Sequence, residues 1–145
     1  MLANIRVDFV PTGNTAIGPS NRWYPEAIAD AAPYRVADGL DVLAITPVYF
    51  VATKLEAFRG RGRGDYEASH DLEDILTVLA GIEALRSEIR EGASHVATSV
   101  RNELATLAGV EAFVDAIEGH FEGDAAGQHR ARVVHEWLKS LTTVK

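Results

Sequence analysis

Tyr34-Arg35-Val36-Ala37-Asp38-Gly39-Leu40-Asp41-Val42-Leu43-Ala44-Ile45-Thr46-Pro47 is the stretch on which the fold turns. Tyr34–Val36 and Leu40–Ile45 read as two strands, and Ala37-Asp38-Gly39 between them supplies the turn chemistry of a hairpin. At Thr46-Pro47 the pattern changes: a capping hydroxyl followed by proline at the first helical position predicts a helix start. Upstream, Ile5, Val7 and Phe9 alternate with Arg6 and Asp8, the period of a half-buried strand over residues 4–10. Pro11, Gly13, Gly18 and Pro19 make a loop, and Pro25–Ala32 suits a short helix.

Downstream everything reads as helix. Val48, Val51, Leu55 and Phe58 share one face of a helix expected to run to about Arg59, where Gly60, Gly62 and Gly64 break it. Ser69 caps a second helix with a stripe of Leu72, Ile75, Leu76 and Leu79, ending at Gly81. Further helices are expected over about 82–91, 95–107, 110–118 and 125–141. Ser94 and Asp124 are the caps there, and Gly92, Gly109 and Gly119 the stops. Leu104, Leu107, Val110, Phe113, Ile117, Trp137 and Leu138 are assigned to helix packing. Strands first and helices after is an α+β order. About three strands make a thin sheet, so an upstream segment or a partner is expected to complete it, and the open edge invites a homodimer.

The composition excludes several function classes. The 145 residues carry a net charge of −7 and a pI of about 5.2, unlike a protein that coats nucleic acid non-specifically. With no cysteine there is no disulfide framework, thiolate zinc site or cysteine nucleophile. No apolar run approaches the roughly 20 residues of a membrane span, and no basic-then-apolar leader opens the chain. A cytoplasmic protein without membrane contact is the expectation.

Within the acidic whole, Lys54, Arg59, Arg61 and Arg63 stand against Glu56 alone. Such a patch suits a bound anion, and equally a solvated helix end with arginines at its negative pole. Asp8 on the polar side of its strand can hold a hard cation or simply face water. Lys54, off its helix's apolar stripe, can hold a phosphate as a point charge or be an ordinary solvated lysine. Asp71 and Asp74, three apart, share a helix flank; the helix dipole by itself accounts for Asp71. His70 is a candidate base or a capping residue. His95, His120, His129 and His135 lack metal-ligand spacing. The glycines at 60, 62 and 64 follow a helix, the wrong context for a P-loop or dinucleotide fingerprint.

Three segments taken together carry a resemblance: Arg6-Val7-Asp8-Phe9-Val10-Pro11-Thr12; Phe50-Val51-Ala52-Thr53-Lys54-Leu55-Glu56-Ala57-Phe58; and Arg59-Gly60-Arg61-Gly62-Arg63-Gly64-Asp65 leading to His70-Asp71-Leu72-Glu73-Asp74-Ile75. Ser20-Asn21-Arg22-Trp23-Tyr24-Pro25-Glu26 fits between the first two. In this order they resemble nucleotidyltransferases of the polymerase-beta superfold, in the AbiEii toxin-like branch, over roughly residues 5–81.

The resemblance implies a partial nucleotidyltransferase-like core over residues 1–81 with a helical region, 82–145, packed on it. It implies NTP and Mg²⁺ as ligands, and transfer of a nucleotidyl group to an acceptor such as a tRNA or a protein, in a toxin–antitoxin setting. Asp8 would be the strand carboxylate that binds metal, and Lys54 would hold the nucleotide phosphates with Arg59, Arg61 and Arg63 nearby. Asp71, with Asp74 on the same flank, would position the acceptor or act as its base. The family's first motif, Gly-Gly or Gly-Ser followed by Asp-x-Asp or Asp-x-Glu, has no counterpart before Asp8, and Asp38 and Asp41 lie in the wrong place to replace it. The chain is therefore expected to be a truncated product or a degenerate homologue, without transfer activity by itself.

Overall fold

The computed structural model describes residues 21–61 and 64–142. The expected strand over 4–10, with Asp8, and also Arg63, lie outside the described residues. Within them the chain is α+β and mostly helical. In order come α1 (Tyr24–Ala29), β1 (Ala32–Ala37), β2 (Leu40–Ala44), α2 (Pro47–Arg61), α3 (His70–Gly81), α4 (Glu83–Glu91), α5 (His95–Ala108), α6 (Glu111–Ala116) and α7 (Ala125–Thr142). A 3₁₀ turn at Glu118–His120 joins α6 to the approach of α7.

The hairpin forms where the Asp38-Gly39 turn places it. β1 and β2 pair antiparallel, Tyr34 opposite Val42 and Arg35 opposite Asp41, with an irregularity between Arg35 and Ala37. Gly39 takes φ 75°, a conformation that costs glycine nothing. Period-2 alternation puts Tyr34, Val36, Leu40 and Val42 on one face. All four are exposed, Tyr34 at 62%, so this apolar face is uncovered among the described residues.

The core is built by helices. α2 lies at its centre, packed on α3 and α5, while α7 packs on α3 and α5. The expected stripes are the buried ones: Val48, Val51, Leu55 and Phe58 of α2, and Leu72, Ile75, Leu76 and Leu79 of α3. One hydrophobic cluster runs from Trp23 through these residues to Leu104, Phe113, Ile117, Val134 and Leu141, crossing the boundary expected at residue 81. Leu107 and Val110 pack against it only partly buried.

Helix starts follow the sequence: Ser69 Oγ accepts from Leu72 N, Ser94 Oγ from Ala97 N and Asp124 Oδ1 from Gly127 N, at 3.4, 3.2 and 2.7 Å. Thr46 departs from expectation, its hydroxyl reaching Asp30 Oδ2 at 3.4 Å. Helix ends depart more. α2 continues through Gly60 to Arg61, because Arg59 and Arg61 are each held by a carboxylate of a neighbouring helix; the left-handed glycine of this region is Gly64, φ 79°. Nor do left-handed glycines close α4 and α5, since Gly92 has φ −65° and Gly109 φ −84°. Arginines cover free carbonyls instead. Arg86 donates to Leu79 O and Ala80 O at the end of α3, and Arg101 Nη1 donates to the carbonyls of Ile89, Arg90 and Gly92 at 3.1 Å each.

Candidate functional site

Lys54 and Arg61 are seven residues apart, two turns on one side of α2. The first turn of α3 meets them there. Asp71 receives Arg61 in a bidentate pair, Nε to Oδ2 at 2.9 Å and Nη2 to Oδ1 at 2.8 Å. Lys54 Nζ lies 3.4 Å from Asp71 Oδ1 and 2.5 Å from Asp74 Oδ2, with the Phe50 ring beneath it, 5.7 Å to the centroid. Residues separated by 17 positions thus form one cluster of two cations and two carboxylates.

The four groups differ in exposure, and that sets what each can do. Asp71 is only 5% exposed, while the Arg61 side chain is 65% exposed. Burial by itself would push the Asp71 carboxyl up; the Arg61 hydrogen bonds and charge, with Lys54 adding to them, outweigh it and hold the group below the usual aspartate range. Burial pulls Lys54 down, but hydrogen bonding and charge from Asp74, then Asp71, raise it above the ordinary lysine value. Arg61 is raised by Asp71. Both cations are fully charged at neutral pH. A carboxylate with a depressed pKa and three N–H donors on it is a poor proton acceptor. Of the two roles expected for Asp71, this geometry supports positioning: it fixes the cations.

The cations stand beside a cleft of about 350 Å³ between α1 and α2, lined by Asn21, Tyr24, Thr53, Lys54, Glu56, Ala57, Gly60 and Arg61. Asn21 closes its upper wall by donating Nδ2–H to Thr53 O at 2.8 Å and accepting Trp23 N–H at 3.1 Å. That pair of bonds fixes the entry to α1 against α2. A second recess of about 350 Å³ lies on the other side of Arg61, lined by Arg61, Asp65, Ala68, Ser69, His70 and Asp71. Arg61 is the wall between the two.

Not every expected residue arrives here. Arg59, two positions before Arg61, points the other way round the helix; its guanidinium is taken by Glu103 of α5 at 2.6 and 3.3 Å. The anion-binding role expected of Arg59 is therefore corrected: it ties α2 to α5. His70 is largely exposed and pairs with Glu73 at 3.1 Å. Asp8 and Arg63 lie outside the described residues. Among the described residues no group of three or more His, Asp or Glu side chains is placed to hold a metal ion. The donor set explains it: Asp71 and Asp74 are already occupied by ammonium and guanidinium groups, so this part of the site does not fit Mg²⁺.

Tyr24 and Glu56 entered the cleft without having been singled out by sequence reasoning. The segment around Tyr24 belongs to the resemblance, which assigned it no role, and that was the available signal. No family model matches this chain, and none of the curated proteins or solved structures compared with it does either.

Proposed function

We propose that this chain binds a nucleoside triphosphate as a nucleotidyltransferase-type protein, with Lys54 and Arg61 as the phosphate-holding cations. The observation that carries this reading is the convergence of Lys54, Arg61, Asp71 and Asp74 at the mouth of one cleft, from the segments that carry the family resemblance. Lys54 supplies a point charge on a four-carbon stem, and Arg61 a planar fork suited to two phosphate oxygens. Asp71 holds both in register, and Asp74 draws Lys54 toward the outer edge of α3. In the reaction this resemblance implies, an acceptor oxygen of a tRNA or protein bonds to the α-phosphorus, the α–β bridging bond breaks, and pyrophosphate leaves. Magnesium enters with the triphosphate, and Asp8 is the carboxylate that the resemblance assigns to it. The chain is expected to bind without completing transfer, because the Gly-Ser and Asp-x-Asp elements are not found in its sequence.

Calorimetric titration with α,β-methylene nucleoside triphosphates and Mg²⁺ tests this. Lys54→Ala should weaken binding by roughly 10- to 100-fold, the worth of one hydrogen bond to a charged group. Absence of binding by the unaltered chain at millimolar ligand rejects the reading.

A second reading rests on a different observation. The apolar face of Tyr34, Val36, Leu40 and Val42 is exposed, and the two-stranded sheet has free edges on both sides. We propose a second copy of the chain as its occupant, since one free edge pairing with its own symmetry mate across a two-fold axis extends this apolar face continuously. β2 is the better edge, as Pro33 removes a donor from β1. Sedimentation should show a concentration-dependent dimer, weakened by Val42→Lys. A monomer at high concentration rejects this interaction role.

A further inference from the structure

The cleft beside Lys54 and Arg61 has a second end, and its chemistry differs from the first. Tyr24 stands there on the first turn of α1, across from Glu56 of α2. We infer that Tyr24 and Glu56 form a nucleoside subsite, Tyr24 stacking on the base and Glu56 accepting an N–H from its edge, while Lys54 and Arg61 take the phosphates. This rests on the triphosphate-binding reading above and adds to it what selects a nucleotide over a bare polyphosphate.

Three observations carry the inference. The cleft, about 350 Å³, is of the size that small-molecule sites occupy. Its ends are chemically split, with Lys54 and Arg61 towards α3 and an aromatic ring against α1. Tyrosine offers a flat, rigid face on which any base can stack. Tyr24 is also held in place: Asn21 bonds to both Trp23 N and Thr53 O, and Trp23 beside it is 3% exposed. Glu56 is held too. Arg22 Nε lies 3.3 Å from its Oε2 and Arg59 Nη1 3.8 Å, so its charge is balanced from the side away from the phosphates. Oε2 has no aligned hydrogen-bond donor among the described residues, which leaves Glu56 with acceptor capacity.

The test compares the four α,β-methylene ribonucleoside triphosphates with inorganic tripolyphosphate, each with Mg²⁺, on the full chain by calorimetry. The unaltered protein should bind at least one nucleotide more tightly than tripolyphosphate. Tyr24→Ala should lower nucleotide affinity about tenfold, as loss of one base–aromatic stack does, and leave tripolyphosphate affinity unchanged. That unchanged affinity also shows the variant to be folded. Tyr24→Phe keeps the stacking face and should retain nucleotide binding. Lys54→Ala should weaken both ligands together. If Tyr24→Ala leaves the preference for nucleotide intact, or if the unaltered chain binds both ligands equally, the nucleoside subsite is overturned while the phosphate site stands. If the unaltered chain binds neither, the triphosphate reading and this inference fall together.

Discussion

Asp71 is the residue on which the site turns. Sequence places it in the first turn of a helix, where the dipole alone accounts for a negative charge. What the sequence could not show is that α2 would run two residues further than its glycines suggest and bring Arg61 onto the carboxylate. Asp71→Asn keeps the shape and removes the charge. Its loss should cost about 1–3 kcal/mol of stability near neutral pH, toward the lower end because Arg61 is well exposed to solvent and can rejoin water. The sign with pH follows from the depressed carboxyl. In the unaltered chain this contribution is fully present above the unfolded aspartate value of about 4, and it is lost as pH falls through the lower folded value. Asp71→Asn should therefore narrow its stability gap to the unaltered chain as pH drops below about 4, measured by urea unfolding at a series of pH values. A gap constant with pH would mean that the carboxylate charge is not what holds the cluster.

At the scale of elements, hydrophobic period and capping chemistry were sufficient for where helices begin and which faces they bury. Ser69, Ser94 and Asp124 cap as expected, because a side-chain cap is local and its signal lies within three residues. Helix ends were less legible. Glycine suggests a left-handed stop, whereas α3 and α4 are closed by Arg86 and Arg101, which come from 7 and up to 12 residues away, a tertiary event with no local signature. Gly92 is needed for space rather than for conformation: a Cβ there would overlap the Glu88 carbonyl. Gly92→Ala should thus destabilise by more than about 1 kcal/mol in thermal unfolding, the opposite sign to that of an unstrained Gly→Ala change. A neutral or stabilising result would show that the α4–α5 corner opens without cost. The hairpin was legible from Asp38-Gly39 alone, but its uncovered face was not, since exposure depends on what packs above it.

For the whole molecule, the order of strands then helices was readable and gave the α+β class. The continuity of the core was not readable, because it joins Trp23 to Leu141 across most of the chain. That continuity matters for the site. α2 presents Lys54 and Arg61 on one side while its opposite side is locked by α5 and, through it, by α7, so the cations sit on the most buttressed helix of the fold. The basic residues were visible in sequence as one patch; helical geometry divides them, sending Arg59 to Glu103 and Arg61 to Asp71. Recognition of Tyr24 required the cleft itself. The most direct test of the central claim follows the nucleotide titration by amide NMR on uniformly ¹⁵N-labelled chain. The account predicts shifts confined to Asn21, Tyr24, Thr53 to Arg61 and the first turn of α3, with the hairpin unaffected. Shifts centred elsewhere, or none at millimolar nucleotide, would contradict it.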